Sequence, residues 1–188
     1  MLKIENTPYN DKELLDLCEA GQELGYSKLY QKYSKQVYNT VLRLVSEESE
    51  AEDLTQDIFI SFFGDIQKMK SVDYLGAWFK RVAINKSISH LRKRKVYFTD
   101  IENTQLIDES EEELVEMEHL EGRIAEVQSA IEALSVESRT IVNLFLFENI
   151  PQEEIGKMLG MTSATVRSKY HRAKNKIAQT LQQTIYYE

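Results

Sequence analysis

With 188 residues, 42% of them hydrophobic and 29% charged, the chain can bury a core and lacks the composition of a disordered segment. That length suits one ordinary domain or two small ones. The formal net charge is −8, and a single cysteine, Cys18, excludes an internal disulfide, which fits a reducing compartment.

Only seven glycines and two prolines occur, with few alternating apolar runs, so helices joined by short connections are expected. The opening "MLKIENTPYNDKELL" has no signal-peptide apolar core, and no stretch approaches the length of a membrane span. A cytoplasmic protein without membrane insertion is the expectation. Cys18, in "LLDLC", reads as a plain buried or half-buried thiol. One cysteine and three scattered histidines (His90, His119, His171) cannot form a His/Cys zinc cluster, and no Gly-rich phosphate loop occurs. Neither a metal nor a cofactor is expected.

In chain order, "SKLYQKYSKQVYNTVLRLV" sets Leu29, Tyr33, Val37, Val41 and Leu44 at helical spacing, with Ser27 as its start. "SEAEDLTQDIFISFF" opens on Ser49 and Glu52, the spacing of a capping box, and carries the stripe Leu54, Ile58, Phe62. Asp73 is placed to cap "YLGAWFKRVAINKSISHLRKRK", which is basic at its C-terminal end, where cations suit the helix dipole. Residues 1–95 thus read as one helical domain. Residues 96–120 read as an acidic flexible linker. Leu114, Met117, Leu120, Ile124, Val127, Ile131 and Leu134 then recur at steps of three and four, predicting an amphipathic helix. "SVESRTIVNLFLFEN" is a further helix, and two short ones follow, so residues 121–188 form a second, smaller domain. The expected fold class is all-α.

Charge is distributed in blocks. From Tyr74 to Thr99 there are seven basic residues and no acidic one; from Asp100 to Glu121 there are ten acidic residues and no Lys or Arg. A third block, Thr162–Ile177, is basic again, with Arg167, Lys169, Arg172, Lys174 and Lys176. Local potential, not net charge, is what phosphates respond to.

"PQEEIGKMLGMTSATVRSKYHRAKNKI" has the layout of a helix-turn-helix. Pro151 suits a helix start, Ile155, Met158 and Leu159 an inner face, Gly160 a left-handed turn, Met161 an apolar plug and Thr162 an N-cap. At 100° per residue, Val166, Tyr170, Ala173 and Ile177 face the core. Ala164, Ser168, His171 and Asn175 lie opposite, flanked by Arg167 and Arg172, with Arg167 nearer the buried face. Short side chains at the N-terminal end and Arg, Ser and His beyond suit a helix that enters a DNA major groove.

These motifs, in this order, resemble bacterial sigma factors of the extracytoplasmic-function group over Tyr26–Lys95 and Ile124–Ile177. "EAEDLTQDIFISFF" resembles the family's RNA-polymerase-binding helix, "YLGAWFKRVAINKSISHLRKRK" its helix for the −10 promoter element, and "ALSVESRTIVNLFLFENIPQEEIGKMLGMTSATVRSKYHRAKNKI" its −35-reading domain. The resemblance implies a factor that binds core RNA polymerase and directs promoter-specific initiation. It implies polymerase binding by Asp53, Gln56 and Asp57, with Leu54 and Ile60 as apolar neighbours. The melted −10 strand would meet the Lys68–Tyr74 loop and the helix after it, where the family flips a base; Tyr74, Lys80, Arg81, Asn85, Lys86 and Arg92 are the candidates. Trp78, amid Leu75, Phe79 and Val82, reads as core before stacking platform.

At the double-stranded −35 element the family pattern places Arg167, Ser168, His171 and Arg172 on bases and phosphates, and Ser163, Thr165, Lys169 and Lys174 on phosphates. The acidic linker has the sign to occupy a basic polymerase channel. An anti-sigma factor is an implied partner. The chain departs from the family pattern at Ser135, where Pro is usual and the turn is expected to be looser, at Asn149 for Gly, and at Gly156 for Ala. The Gly156 change would cost ~1 kcal/mol of helix propensity.

Three readings compete, and one of them, a zinc-type anti-sigma factor, would need the His/Cys cluster that this sequence cannot make. A stand-alone helix-turn-helix regulator would bind DNA without polymerase. A recombinase-type enzyme would need a nucleophile beside clustered Arg, or a carboxylate set for metal, and the acidic residues here are mostly helix surface or linker.

Overall fold

The computed structural model describes residues 9–94 and 124–185, and among them are nine helices and no strand. The expected linker, residues 96–120, and the apolar positions Leu114, Met117 and Leu120 lie outside the described residues. The chain divides into two compact units, Met1–His90 and Leu91–Glu188, with the division in the last turn of the fifth helix.

The first unit contains α1 (Asp11–Glu19), α2 (Glu23–Val45), α3 (Glu48–Gly64), α4 (Ile66–Met69) and most of α5 (Leu75–Lys93). Asn10 and Glu13 make the capping box that starts α1, at 2.9 Å in each direction. The second helix begins at Glu23, four residues before the expected Ser27. Gly21, at φ +70°, turns the chain there. At Gly25 a Cβ would lie 2.8 Å from Leu17 Cβ and from the Cys18 nitrogen, so only glycine lets α2 start this close to α1.

The capping box expected at Ser49 and Glu52 does not form. α3 starts at Glu48, one residue before Ser49, and its cap position, Glu47, makes no side-chain cap bond. Asp73 is likewise one residue short of the cap position of α5: the helix begins at Leu75, and its first backbone bond runs from Trp78 N–H to Tyr74 O at 3.1 Å.

The core of this unit is aromatic. Phe62 lies 4.6 Å from Phe79 and 5.4 Å from Trp78 between ring centroids, and Phe79 lies 4.9 Å from Phe59 and 5.0 Å from Tyr33. Trp78 is half-buried against these rings, as the sequence suggested. Leu14, Leu15 and Cys18 of α1 are buried in the same core. Burial pushes the Cys18 thiol up, which keeps it protonated and unreactive.

The second unit contains α6 (Ile124–Glu132), α7 (Val136–Leu146), α8 (Gln152–Leu159) and α9 (Ser163–Ile185). Ile131, Leu134, Val142 and Ala173 pack together, with Val127, Tyr170 and Ile177 against them. The last helix has 23 residues and is not the short element expected. At Leu134–Ser135, where proline is usual in the family, the Ser135 side chain caps α7 by accepting from Ser138 N–H. Asn149 adopts φ 54°, the left-handed conformation that asparagine tolerates in place of glycine.

Candidate nucleic-acid and polymerase interface

The helix-turn-helix is built by local chemistry. Gly160 sits at φ +74° and ends α8 with its N–H on Gly156 O. Met161 is buried between the two helices. Thr162 Oγ1 accepts from Thr165 N–H at 3.1 Å and starts α9. Gly156 has a role beyond helix propensity: a Cβ there would lie 2.7 Å from Met161 O, so glycine lets the turn close onto α8.

Val166 and Ala173 of α9 are buried, and Tyr170 and Ile177 are half-buried, as expected of the inner face. Outward, Ser163, Ala164, Arg167, Arg172, Lys174 and Lys176 are exposed, and Ser168, His171 and Asn175 are partly so. Arg167, expected on the flank nearer the buried face, is exposed. Arg172 folds back one turn, its Nη2 donating to Ser168 Oγ at 3.2 Å, and Asn175 Nδ2 lies 3.3 Å from His171 Nε2.

Two residues expected at phosphates are otherwise engaged. Thr165 is 5% exposed, and its hydroxyl meets that of Thr162 at 2.9 Å, so its side chain belongs to the cap. Lys169 Nζ lies 2.9 Å from Glu137 Oε2, and the two side chains are only 12% and 19% exposed. Glu137 on α7 thereby takes up the charge that a phosphate would have met, and the pair fastens α9 to α7.

On α5, Tyr74 is 78% exposed at the helix start, followed by exposed Arg81, Asn85 and Arg92 at steps that share one face. Lys80 and Lys86, on the two flanks of the helix about 120° from that face, are partly exposed. This is a basic track with an aromatic ring at one end, the pairing that single-stranded nucleic acid uses. Lys70, in the loop before Tyr74, has partners of its own: Asp16 Oδ1 at 2.7 Å and Glu19 Oε2 at 2.5 Å, both on α1. Hydrogen bonds from Lys70 hold the Asp16 carboxyl below its usual value, and the two carboxylates raise the Lys70 ammonium to about 12.

On α3, Asp53, Gln56, Asp57 and Ile60 are all exposed and recur at the three- and four-residue steps of one helical face. Ile60 is 69% exposed, an apolar side chain left in water on a charged stripe. Leu54, expected beside them, instead points inward and is 9% exposed as part of the core.

Sequence reasoning missed the groove next to this stripe, about 440 Å³, lined by Tyr30, Ser34, Lys35 and Tyr38 of α2 and by Glu52, Thr55 and Gln56 of α3. The signal was Tyr30, Ser34 and Tyr38 at steps of four, a polar and aromatic stripe beside the apolar one.

Comparison with known proteins assigns the two units. Residues 29–96 match Sigma-70 region 2, and residues 124–177 match Sigma-70, region 4. The chain belongs to the sigma-70 family of RNA polymerase sigma factors, in its extracytoplasmic-function group. It is thus a DNA-binding initiation factor that directs promoter-specific transcription.

Among its relatives, the ECF RNA polymerase sigma factor SigE of Mycolicibacterium smegmatis is 29% identical over 157 residues, covering 81% of this chain and 60% of SigE. The RNA polymerase sigma-H factor of Pseudomonas aeruginosa is 27% identical, covering 94% of this chain and 96% of its own length. Among solved structures, the sigma factor RpoE in complex with the anti-sigma factor NepR from Bartonella quintana has TM-score 0.51 at 19% identity, covering 84% of this chain and 96% of RpoE. CnrH in complex with the cytosolic domain of CnrY has TM-score 0.50 at 18% identity, covering 92% and 97%.

Proposed function

We propose a division of labour over three helices. The α3 stripe Asp53, Gln56, Asp57 and Ile60 binds core RNA polymerase. Tyr74 and the α5 track of Lys80, Arg81, Asn85, Lys86 and Arg92 bind the melted −10 strand. Ser163, Arg167, Ser168, His171, Arg172 and Lys174 bind the −35 duplex, with Thr165 and Lys169 supporting the helix from within.

The observation that carries this reading is the placement of the candidates. On each of three helices they lie on a solvent-facing side, while the residues between them fill the cores. Ile60, 69% exposed between the two aspartates and the helix end, would add apolar area to the face that core polymerase covers. The −35 contacts would discriminate through Arg172, because an arginine bidentate to guanine distinguishes bases and a lysine on phosphate does not.

The chain is accordingly a non-enzymatic factor that works in the cytoplasm, where core polymerase is. Among the described residues no helix is long and apolar enough to cross a membrane. An anti-sigma factor is a further partner, a reading supported by RpoE, whose fold this chain shares and whose structure holds one.

The test is transcription in vitro. Core polymerase plus this chain, given a library of randomised promoter DNA, is expected to start RNA at a defined site downstream of selected −35 and −10 sequences. DNA binding that needs no polymerase, with no start site, would favour a stand-alone regulator instead.

A further inference from the structure

The family match begins at residue 29, yet α1 (Asp11–Glu19) lies ahead of it and is an integral part of the first unit. Leu14, Leu15 and Cys18 are buried, the Tyr26 hydroxyl donates to Cys18 O at 2.8 Å, and Asp11 accepts from Lys32 Nζ and from the Tyr33 hydroxyl, each at 2.6 Å. So α1 has a fixed position, and two of its carboxylates, Asp16 and Glu19, close on Lys70.

Lys70 ends α4 and begins the short loop that leads to Tyr74. The loop is held at its base by Ile66 and Met69, both in the core, and by Ser71 Oγ donating to Lys68 O at 2.8 Å. Lys70 is thus the loop's charged attachment to α1, four residues from the exposed ring of Tyr74. A lysine in a loop that faces DNA is normally read as a phosphate contact. Here its ammonium is already held by two carboxylates.

We propose that α1 is a brace for the −10 loop: Asp16 and Glu19 act through Lys70 as positioning residues that set the loop and Tyr74 for the melted strand. This rests on the −10 reading of Tyr74 and α5. The brace and a direct DNA contact predict opposite signs. If Lys70 reached phosphate itself, removing Asp16 and Glu19 would free it and strengthen DNA engagement. As a brace, removing either side of the pair loosens the same loop.

The experiment uses the full chain assembled with core polymerase, on a promoter fragment selected by the wild-type holoenzyme from randomised DNA. The rate of −10 melting is read by permanganate reactivity of unpaired thymines. Asp16→Asn with Glu19→Gln, and separately Lys70→Met, should each slow melting about two- to fivefold, the range expected for loss of one surface ion-pair cluster.

All three changes together should slow it no further. A swapped arrangement, Asp16→Lys with Glu19→Gln and Lys70→Glu, should restore the rate. Core affinity and the thermal transition followed by Trp78 fluorescence should stay near wild type, which separates positioning from unfolding.

Faster melting with Asp16→Asn and Glu19→Gln, additive slowing in the combined variant, or no change in any variant would overturn the brace. A wild-type holoenzyme that selects promoters but melts no DNA would overturn the −10 reading, and the brace with it.

Discussion

In the first unit α5 is seated by rings, Phe79 packing against Phe59, Phe62 and Tyr33 and Trp78 lying over Phe62. In the second unit α9 is seated by a threonine cap, a left-handed glycine, the Lys169–Glu137 ion pair and one ring contact, Tyr170 on Phe145 at 4.7 Å, around a core that is otherwise of smaller aliphatic side chains. Both helices carry basic blocks of similar density in sequence. They differ in what becomes of the charge, since α9 commits Lys169 to Glu137, while Arg81 of α5 stays exposed. A basic run in sequence is therefore not a uniform basic surface, because the fold can commit one of its residues to an acidic partner on another helix.

The largest expected effect tests the aromatic side of that contrast. Phe62→Ala should cost the first unit about 3–5 kcal/mol. The chain has one tryptophan, Trp78, so its fluorescence reports that unit, while hydrogen exchange of α8 and α9 amides should be unchanged. Equal loss of protection in both units would mean that they do not fold separately.

Lys169→Ala comes next. It leaves Glu137 largely buried without its lysine and should destabilise the second unit by about 1–3 kcal/mol. Duplex binding should weaken with no change in salt slope. A slope reduced by about one would instead put Lys169 on phosphate, as its sequence position suggested.

Arg172→Ala and Lys174→Ala sharpen the comparison within α9. The first should relax discrimination at one or two −35 base pairs by about 1–3 kcal/mol. The second should weaken all duplexes alike and lower the salt slope by about one. Equal effects of the two on every duplex would make the helix a phosphate anchor only.

Gly160→Ala should cost about 1–2 kcal/mol, because its φ of +74° is unfavourable for any residue with a Cβ. The loss should appear in α8 and α9 exchange rates and leave Trp78 fluorescence unmoved.

The smallest expected effect is pH dependence of the α1 brace. The lowered Asp16 carboxyl contributes fully above its ordinary 3.8 and is lost as pH falls through its folded value. The raised Lys70 ammonium contributes fully below 10.5 and is lost as pH rises towards about 12. Melting rates should therefore show no titration from this pair between those limits.

Much of this was legible in sequence where one residue decides local geometry. Gly160, Met161 and Thr162 fixed the helix-turn-helix because a left-handed turn, an apolar plug and a hydroxyl cap each call for a particular side chain. On α3 the spacing puts Leu54 on the apolar stripe with Ile58 and Phe62, where the structure has it; the resemblance sets it beside Asp53, Gln56 and Asp57.

Less legible were features made by residues distant in sequence. Glu137 is 32 positions from Lys169, and Asp16 is 54 from Lys70, so no local pattern announced either pair. Helix starts at Ser27, Ser49 and Asp73 were misplaced by one to four residues. Each is a plausible cap, and tertiary contacts, such as Gly25 against α1, decided where the helices began.

The central claim is that one chain holds polymerase with α3 and reads two DNA elements with two other helices. The direct measurement is promoter selection from randomised DNA by reconstituted holoenzyme, comparing wild type with Arg172→Ala, with Tyr74→Ala plus Arg81→Ala, and with Asp53→Lys plus Asp57→Lys. The account predicts that the first variant changes selected bases only at −35 and the second only at −10. The third should abolish selection through failure to assemble with core polymerase. Variants that all lowered yield while selecting the wild-type sequence at both elements would contradict it.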